Sequence, residues 1–336
     1  MRRSTALVVL FLASLGAPSA APQTQPPSFT AGTRTVAVYA TVTNARGRLE
    51  TDLSRDDFKI DDDGKRQELT LFSNDVQPIT VVMLLDRSGS MKPNFDLEER
   101  AAEAFVGAMG PADKARIGSF ATRIQVDPDE FTSDHGTLLK ILRNELQEDG
   151  PTPLWNAVDI GIDKLLVEQG RRVVLVFTDG VDMPLNFSNH NKSLKDVMKR
   201  AEEQNVMVYA IGLAGQNGAP AALRGIPDPL GRSGGGGFGG RSAGGSGGGL
   251  QMEKPDEGLP KIAAATGGGY FELTSARELP TTFARVANEL HHQYALGFTP
   301  EKLDGKMHDL TLHLSQPELM ARARKRYLAS KAPGAS

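Results

Sequence analysis

The stretch Val81-Val82-Met83-Leu84-Leu85-Asp86-Arg87-Ser88-Gly89-Ser90-Met91 decides how the rest of the chain is read. An apolar run with no polar interruption needs cover on both faces, as a strand of a parallel sheet between helices has. The run then empties into a tight turn of hard oxygens, with Asp86, Ser88 and Ser90 at alternate positions. In an open α/β sheet such a turn lies beyond the carboxyl end of its strand, where ligands of these sheets bind.

Working outward, the same kind of apolar run recurs at 79–85, 115–120, 173–177, 206–211 and 270–273. Helical spacing fills the intervals at 98–109, 138–146, 154–167, 194–204 and 279–290, with a shorter piece at 262–266. Alternating strands and helices with right-handed crossovers predict an α/β fold: a doubly wound, mostly parallel sheet flanked by helices, spanning 79–290. The stretch 214–258 is rich in Gly and Ser and reads as a disordered surface insertion. It does not read as a phosphate cradle, because no Gly-Lys-Ser/Thr follows the glycines.

Outside that domain the pattern becomes two-residue alternation. Val36, Val38, Ala40 and Val42 lead to a turn at Asn44-Ala45-Arg46-Gly47, then Phe58, Ile60, Leu69 and Leu71 follow. Tyr294 to Phe298 and Leu310 to Leu314 alternate in the same way. Segments 22–78 and 291–330 are therefore expected to pair, so that the α/β domain is inserted in a small β domain built from both ends of the chain. The turn Asp61-Asp62-Asp63-Gly64 lacks the spaced oxygens and closing Glu of a calcium loop and reads as a solvated hairpin turn. The basic run from Arg322 to Arg326 reads as an exposed edge strand, where charge discourages association.

Composition narrows the function classes. With 38 basic and 41 acidic residues the net charge is only -3, so no nucleic acid is expected as a partner. The chain has no cysteine, which removes disulfides, thiol catalysis and zinc-thiolate sites together. Met1-Arg2-Arg3, the apolar run Ala6 to Leu15 and the small residues Gly16 to Ala21 have the order of a secretory signal, assigned to 1–21. The run falls short of the roughly 20 apolar residues of a bilayer span. An exported protein, periplasmic or extracellular and without a stable membrane span in the mature chain, is the expectation.

Two further turns carry oxygens. Asp149-Gly150-Pro151-Thr152-Pro153-Leu154 holds a hydroxyl between two prolines ahead of a helix, and Val176-Phe177-Thr178-Asp179-Gly180 sets a carboxylate directly after another buried strand. Singly, each such residue reads as a turn or helix cap. Together, Asp-x-Ser-x-Ser, Gly-x-Thr-Pro-Leu and Thr-Asp-Gly resemble the metal-ion-dependent adhesion site of von Willebrand factor type A domains, which have a Rossmann-like sheet. The flanking strands resemble those of the related proteins that bacteria export.

The resemblance implies a divalent metal held at Asp86, Ser88, Ser90, Thr152 and Asp179. Ser88, Ser90 and Thr152 would bind directly, and Asp86 and Asp179 partly through water. It also implies a partner protein whose Asp or Glu carboxylate completes the shell, coupling of the 279–290 helix to the metal loop, and no enzymatic activity. The residues agree on the ion, since oxygen donors without sulfur or imidazole select Mg²⁺, or Mn²⁺ or Ca²⁺. Asp182 could tune the site, against an exposed loop acid; Trp155 could be a contact residue, although helix packing is the more ordinary role for it.

Two other classes compete. A structural or assembly scaffold would keep the metal without bridging a ligand. A Mg²⁺-dependent phosphatase with Asp86 as nucleophile predicts an acid two residues on, where Ser88 stands. Serine hydrolysis lacks a Gly-x-Ser-x-Gly elbow, and His291-His292 at a helix end reads as solvent-facing or junctional.

Overall fold

The computed structural model describes residues 35–146, 150–183, 191–214 and 254–331. The expected leader at 1–21, Asp149 and nearly all of the Gly-rich stretch lie outside the described residues.

One sheet has six strands: β5 (Ile79–Asp86), β6 (Lys114–Phe120), β7 (Ile124–Thr132), β8 (Arg171–Thr178), β9 (Met207–Leu213) and β10 (Tyr270–Leu273), in the order β10-β9-β8-β5-β6-β7. All neighbours are parallel except β7, which runs antiparallel on β6. Chain order and spatial order reverse beside β5, which places the turn after β5 at a topological switch. Every residue of β5 is buried. Val81, Met83 and Leu85 enter one apolar layer with α1 (Phe95–Ala108), α2 (His135–Asn144) and α6 (Leu279–His291). Val82 and Leu84 enter the opposite layer with α3 (Leu154–Leu165), α4 (Leu194–Glu203) and α5 (Gly258–Thr266). The helices start and stop on local signals. Asp134 caps α2 by accepting from Gly136 and Thr137 N–H, Ser193 and Asp196 cap α4 reciprocally, and Gly267 ends α5 at φ +82°.

The remaining strands form two four-stranded sheets. One is ordered β13-β1-β11-β4, from Met320–Arg322, Val36–Thr43, Tyr294–Phe298 and Leu69–Ser73. The other is β14-β12-β2-β3, from Arg326–Leu328, Met307–Leu314, Phe58–Asp62 and Lys65–Gln67. Val38, Ala40, Leu296 and Phe298 of the first meet Phe58, Ile60, Leu310 and Tyr327 of the second in a separate apolar core. Each sheet mixes strands from both sides of the six-stranded domain in sequence: β1 pairs with β11, and β2 with β12.

Several readings need correction. β7 has no counterpart among the expected strands, because Asp127, Pro128, Asp129 and Glu130 interrupt its apolar pattern. α1 begins three residues before the expected start, continuing directly from a 3-10 turn over Gly89–Asn94. The acidic turn is not solvated throughout. Asp62, 6% exposed, faces inward, accepts a hydrogen bond from Tyr327 Oη at 3.0 Å and lies 2.9 Å from His308 Nδ1. The basic run fits an exposed edge only in part: β13 and β14 are edge strands and Lys325 and Arg326 are exposed, but Arg322 and Arg324 turn inward. Arg322 reaches Glu289 at 2.5 Å, and Arg324 Nη2 donates to Ala37 O at 2.5 Å, both within the junction of the two domains.

Candidate metal centre

β5 and β8 are hydrogen-bonded neighbours in parallel register, so the turns that follow them leave the sheet side by side. Asp86, the last residue of β5, is fully buried. Its Oδ1 accepts from Ser88 N–H at 2.9 Å, and its Oδ2 accepts from Thr178 Oγ1 at 2.5 Å. One carboxylate thus shapes its own turn and ties it to the end of β8. Ser88 Oγ and Ser90 Oγ stand 3.1 Å apart, and Ser90 Oγ donates to Asp179 Oδ1 at 2.8 Å.

The middle loop closes over the other two. Gly89 N–H donates to Gly150 O at 3.4 Å, and Thr152 O accepts from Met183 N–H at 2.8 Å. A methyl group at Gly180 would lie 3.4 Å from Thr152 Oγ1, so the third loop passes directly beside that hydroxyl. The structure therefore brings the oxygens of Asp86, Ser88, Ser90, Thr152 and Asp179 to one edge of the sheet.

Acidic groups dominate the electrostatics of the three loops. Burial pushes the Asp86 carboxyl up to about 6, against the hydrogen bonds from Ser88 and Thr178, and the charge of Asp179 adds to the rise. Glu98 of α1, also fully buried, is raised well above the usual carboxylate range, first by burial and further by Asp86 and Asp179. Arg87 is the cation beside them, but its guanidinium pairs with Glu98 at 3.3 Å and stacks on the Phe95 ring at 3.6 Å. Three acids, one of them driven toward its neutral form, and a single arginine already paired with it surround a set of hydroxyls. That donor chemistry fits a hard divalent cation and offers nothing to a soft one.

The neighbouring residues have clear positions. Asp182 is half-buried and accepts from Trp155 N–H at 3.2 Å, holding the start of α3 to the third loop. Trp155 is buried, as a packing residue is. His291 Nε2 lies 2.6 Å from Asp113 Oδ2, tying α6 to the turn before β6 at the opposite end of the sheet. Sequence reasoning missed three supports. Thr178 was legible, since it precedes Asp179 in the motif. Glu98 reads as an ordinary helix acid. Asp256 follows the Gly-rich stretch, yet it accepts from Asp182 N–H at 3.0 Å and Gly258 N–H at 2.7 Å, linking the third loop to α5.

A second trio of possible ligand groups, Asp62, Asp63 and His308, has donor atoms within 4.8 Å of one another. It belongs to the turn between β2 and β3 and to β12, not to the loops beyond β5 and β8. Its groups satisfy one another. Burial works against the charge on His308, but the hydrogen bond with Asp62 and the charges of Asp62 and Asp63 outweigh it and raise its pKa above 6.5.

Residues 80–233 match the family model of the von Willebrand factor type A domain. No curated protein matches the chain. Among solved structures, BatB from Bacteroides thetaiotaomicron is 19% identical, with 63% of this chain and 98% of that one covered at a TM-score of 0.42. A von Willebrand factor type A protein from Catenulispora acidiphila is 10% identical over 91% of this chain and 78% of that one, with a TM-score of 0.47. Proximal thread matrix protein 1 from the mussel byssus, whose structure has a zinc-occupied adhesion motif, is 16% identical over 67% of this chain and 48% of that one, with a TM-score of 0.44.

Proposed function

From the premise that this chain carries a von Willebrand factor type A domain, we propose that it is an exported protein-binding module whose working part is a Mg²⁺-type site at Asp86, Ser88, Ser90, Thr152 and Asp179. Domains of this family are generally protein-interaction modules rather than enzymes. Among the described residues no helix is long and apolar enough to cross a membrane.

The observation that carries the reading is the convergence of three loops on one buried, negatively charged set of oxygens, with Ser90 bonded to Asp179 and Asp86 to Thr178. Ser88, Ser90 and Thr152 would hold the ion, Asp86 would orient both serines through its turn, and Asp179 would fix Ser90. The cation, when bound, supplies an electrophilic position for the Asp or Glu carboxylate of a partner protein. Around that position Val181 and Met183 are 55% and 59% exposed, apolar surface at the rim that a protein ligand can cover. Asp182 and Asp256 hold that rim in place.

The test is calorimetric titration of the exported chain with Mg²⁺, Mn²⁺ and Ca²⁺, beside Asp86→Ala and Asp179→Ala, followed by capture of a Glu-bearing peptide library with and without chelator. Saturable cation binding lost in both variants, with chelator-sensitive capture, is the expected result. Cation binding without any carboxylate-dependent capture would favour the scaffold reading instead.

A further inference from the structure

At the amino end of the same sheet, away from the metal loops, Arg171, Arg172 and Arg324 line one narrow cavity together with Tyr39. Its volume of about 10 Å³ is the space of one water-sized particle. Arg172 and Arg324 continue from it into an open cleft of about 270 Å³ beside β1 and β14. Arg171 opens β8 and is only 3% exposed. Its Nη1 donates to Leu290 O, while its Nε and Nη2 are buried without a partner, as is Arg324 Nε. Arg172 donates to Gln204 O, and Arg324 donates to Ala37 O.

What these arginines lack is a counter-charge. Among the described residues none of the three forms a salt bridge, and the groups acting on Arg172 and Arg324 are the tyrosines Tyr39 and Tyr327. Tyr39 and Tyr209 also act on Arg171, and the one acid that does, Asp113, is already taken up by His291 and by the N–H groups of Ile79 and Gly110. Glu203 on the wall of the outer cleft faces Lys199 at 3.8 Å. Tyr39 has its own phenol held high by burial, so it stays neutral at ordinary pH. Burial depresses all three guanidinium groups; Arg171 shares a hydrogen bond with Tyr39 and lies 4.6 Å from its ring centre, and Arg324 lies 5.7 Å from that of Tyr327, so the compensation they have comes from neutral rings and carbonyls and not from a carboxylate.

We propose that this cavity is a binding site for a small monatomic anion, chloride in size and charge, which fastens the β strands of the chain ends to the base of the α/β sheet. The unpartnered N–H groups of Arg171 and Arg324 are its donors, and Arg172 closes the site toward the cleft. The cavity is too small for a tetrahedral oxyanion, which separates chloride from phosphate. It joins β8, which carries Arg171, to the segment between β13 and β14, which carries Arg324, so the bound ion bridges two domains.

The test compares the full exported chain in sodium chloride and in sodium gluconate at equal ionic strength, by thermal unfolding and by chloride NMR line broadening. Chloride is expected to raise Tm by about 3 °C over gluconate. It should also broaden the chloride line beyond that of an equal concentration of Arg172→Gln or Arg324→Gln. These two side chains are less enclosed than Arg171, so both variants are expected to fold, which far-UV circular dichroism checks. Equal Tm in the two salts with no excess line width would overturn the proposal and leave a water in the cavity. So would a full chloride response in both variants, or a response to inorganic phosphate without one to chloride.

Discussion

The two ends of the six-stranded sheet have opposite chemistry although the same strands supply both. β8 opens with Arg171 and Arg172 and closes with Thr178, followed at once by Asp179. β5 ends at Asp86, and its first residue donates its N–H to Asp113, where His291 also binds. Parallel strands point every carboxyl end one way, so all the turns of one kind gather on one edge and all those of the other kind on the opposite edge. Chain direction sorts the turns to the two edges, and the residues in those turns set the chemistry of each. The anionic edge faces outward through loops, whereas the cationic edge is covered by strands from both termini and becomes a junction.

The largest effect that could break this contrast comes from Asp86→Ala. Divalent cation binding should be lost in titration, while the helical circular dichroism and the chloride dependence of Tm at the far end remain those of the parent chain. Loss of both responses together would mean that the two edges are not independent. Thr178→Val, which removes the donor to Asp86 Oδ2 and keeps the volume, should weaken cation affinity by about 10- to 100-fold, as supports of ligand groups do. An unchanged titration in that variant would show that Asp86 needs no tie to β8.

At the junction, Glu289 of α6 is 1% exposed and joins Arg322 of β13 at 2.5 Å and Arg285 at 3.2 Å. Glu289→Ala should lower stability by about 2 kcal/mol in urea unfolding, the scale of charge-assisted hydrogen bonds lost between a buried acid and partly exposed arginines. It should leave cation affinity untouched, and a change in that affinity would instead reveal communication through α6. The smallest effect concerns His308. Its folded pKa lies above the ordinary 6.5, so its contribution is fully present below that value and fades as pH rises through the folded pKa. Tm of the parent chain should fall relative to His308→Gln over that interval, and parallel Tm curves would rule the coupling out.

How much of this was legible depended on what each residue's partners were. The parallel strands announce themselves, because burial on both faces forbids polar interruption, and β5 is the plainest case. β13 and β14 have three residues each, too few for any period to show. β7 hides behind Pro128 and three acids that an edge strand tolerates. The three oxygen-bearing loops could be read because they follow strand ends in order. Glu98 could not, since its partner is Arg87 of the preceding turn, a guanidinium that also stacks on Phe95. Asp62 is the one inward residue of an acidic run, fixed by the two-residue alternation of β2 and by the imidazole of His308, 246 positions away. Likewise, the run from Arg322 to Arg326 has the composition of a solvated strand, and only the tertiary approach of Ala37 and Glu289 turns two of its guanidinium groups inward.

The pairing of Val36 with Phe298 also sets an order of events during synthesis. β1 emerges early and must wait for some 260 further residues before its neighbour β11 exists, and β2 waits nearly as long for β12. Until then these strands present open edges, the kind of surface that recruits chaperones or other unfinished chains. Contacts so distant in sequence close slowly. The β unit is therefore completed last, and a chain that ends before residue 294 has β1 without either of its strand partners and β2 with β3 alone.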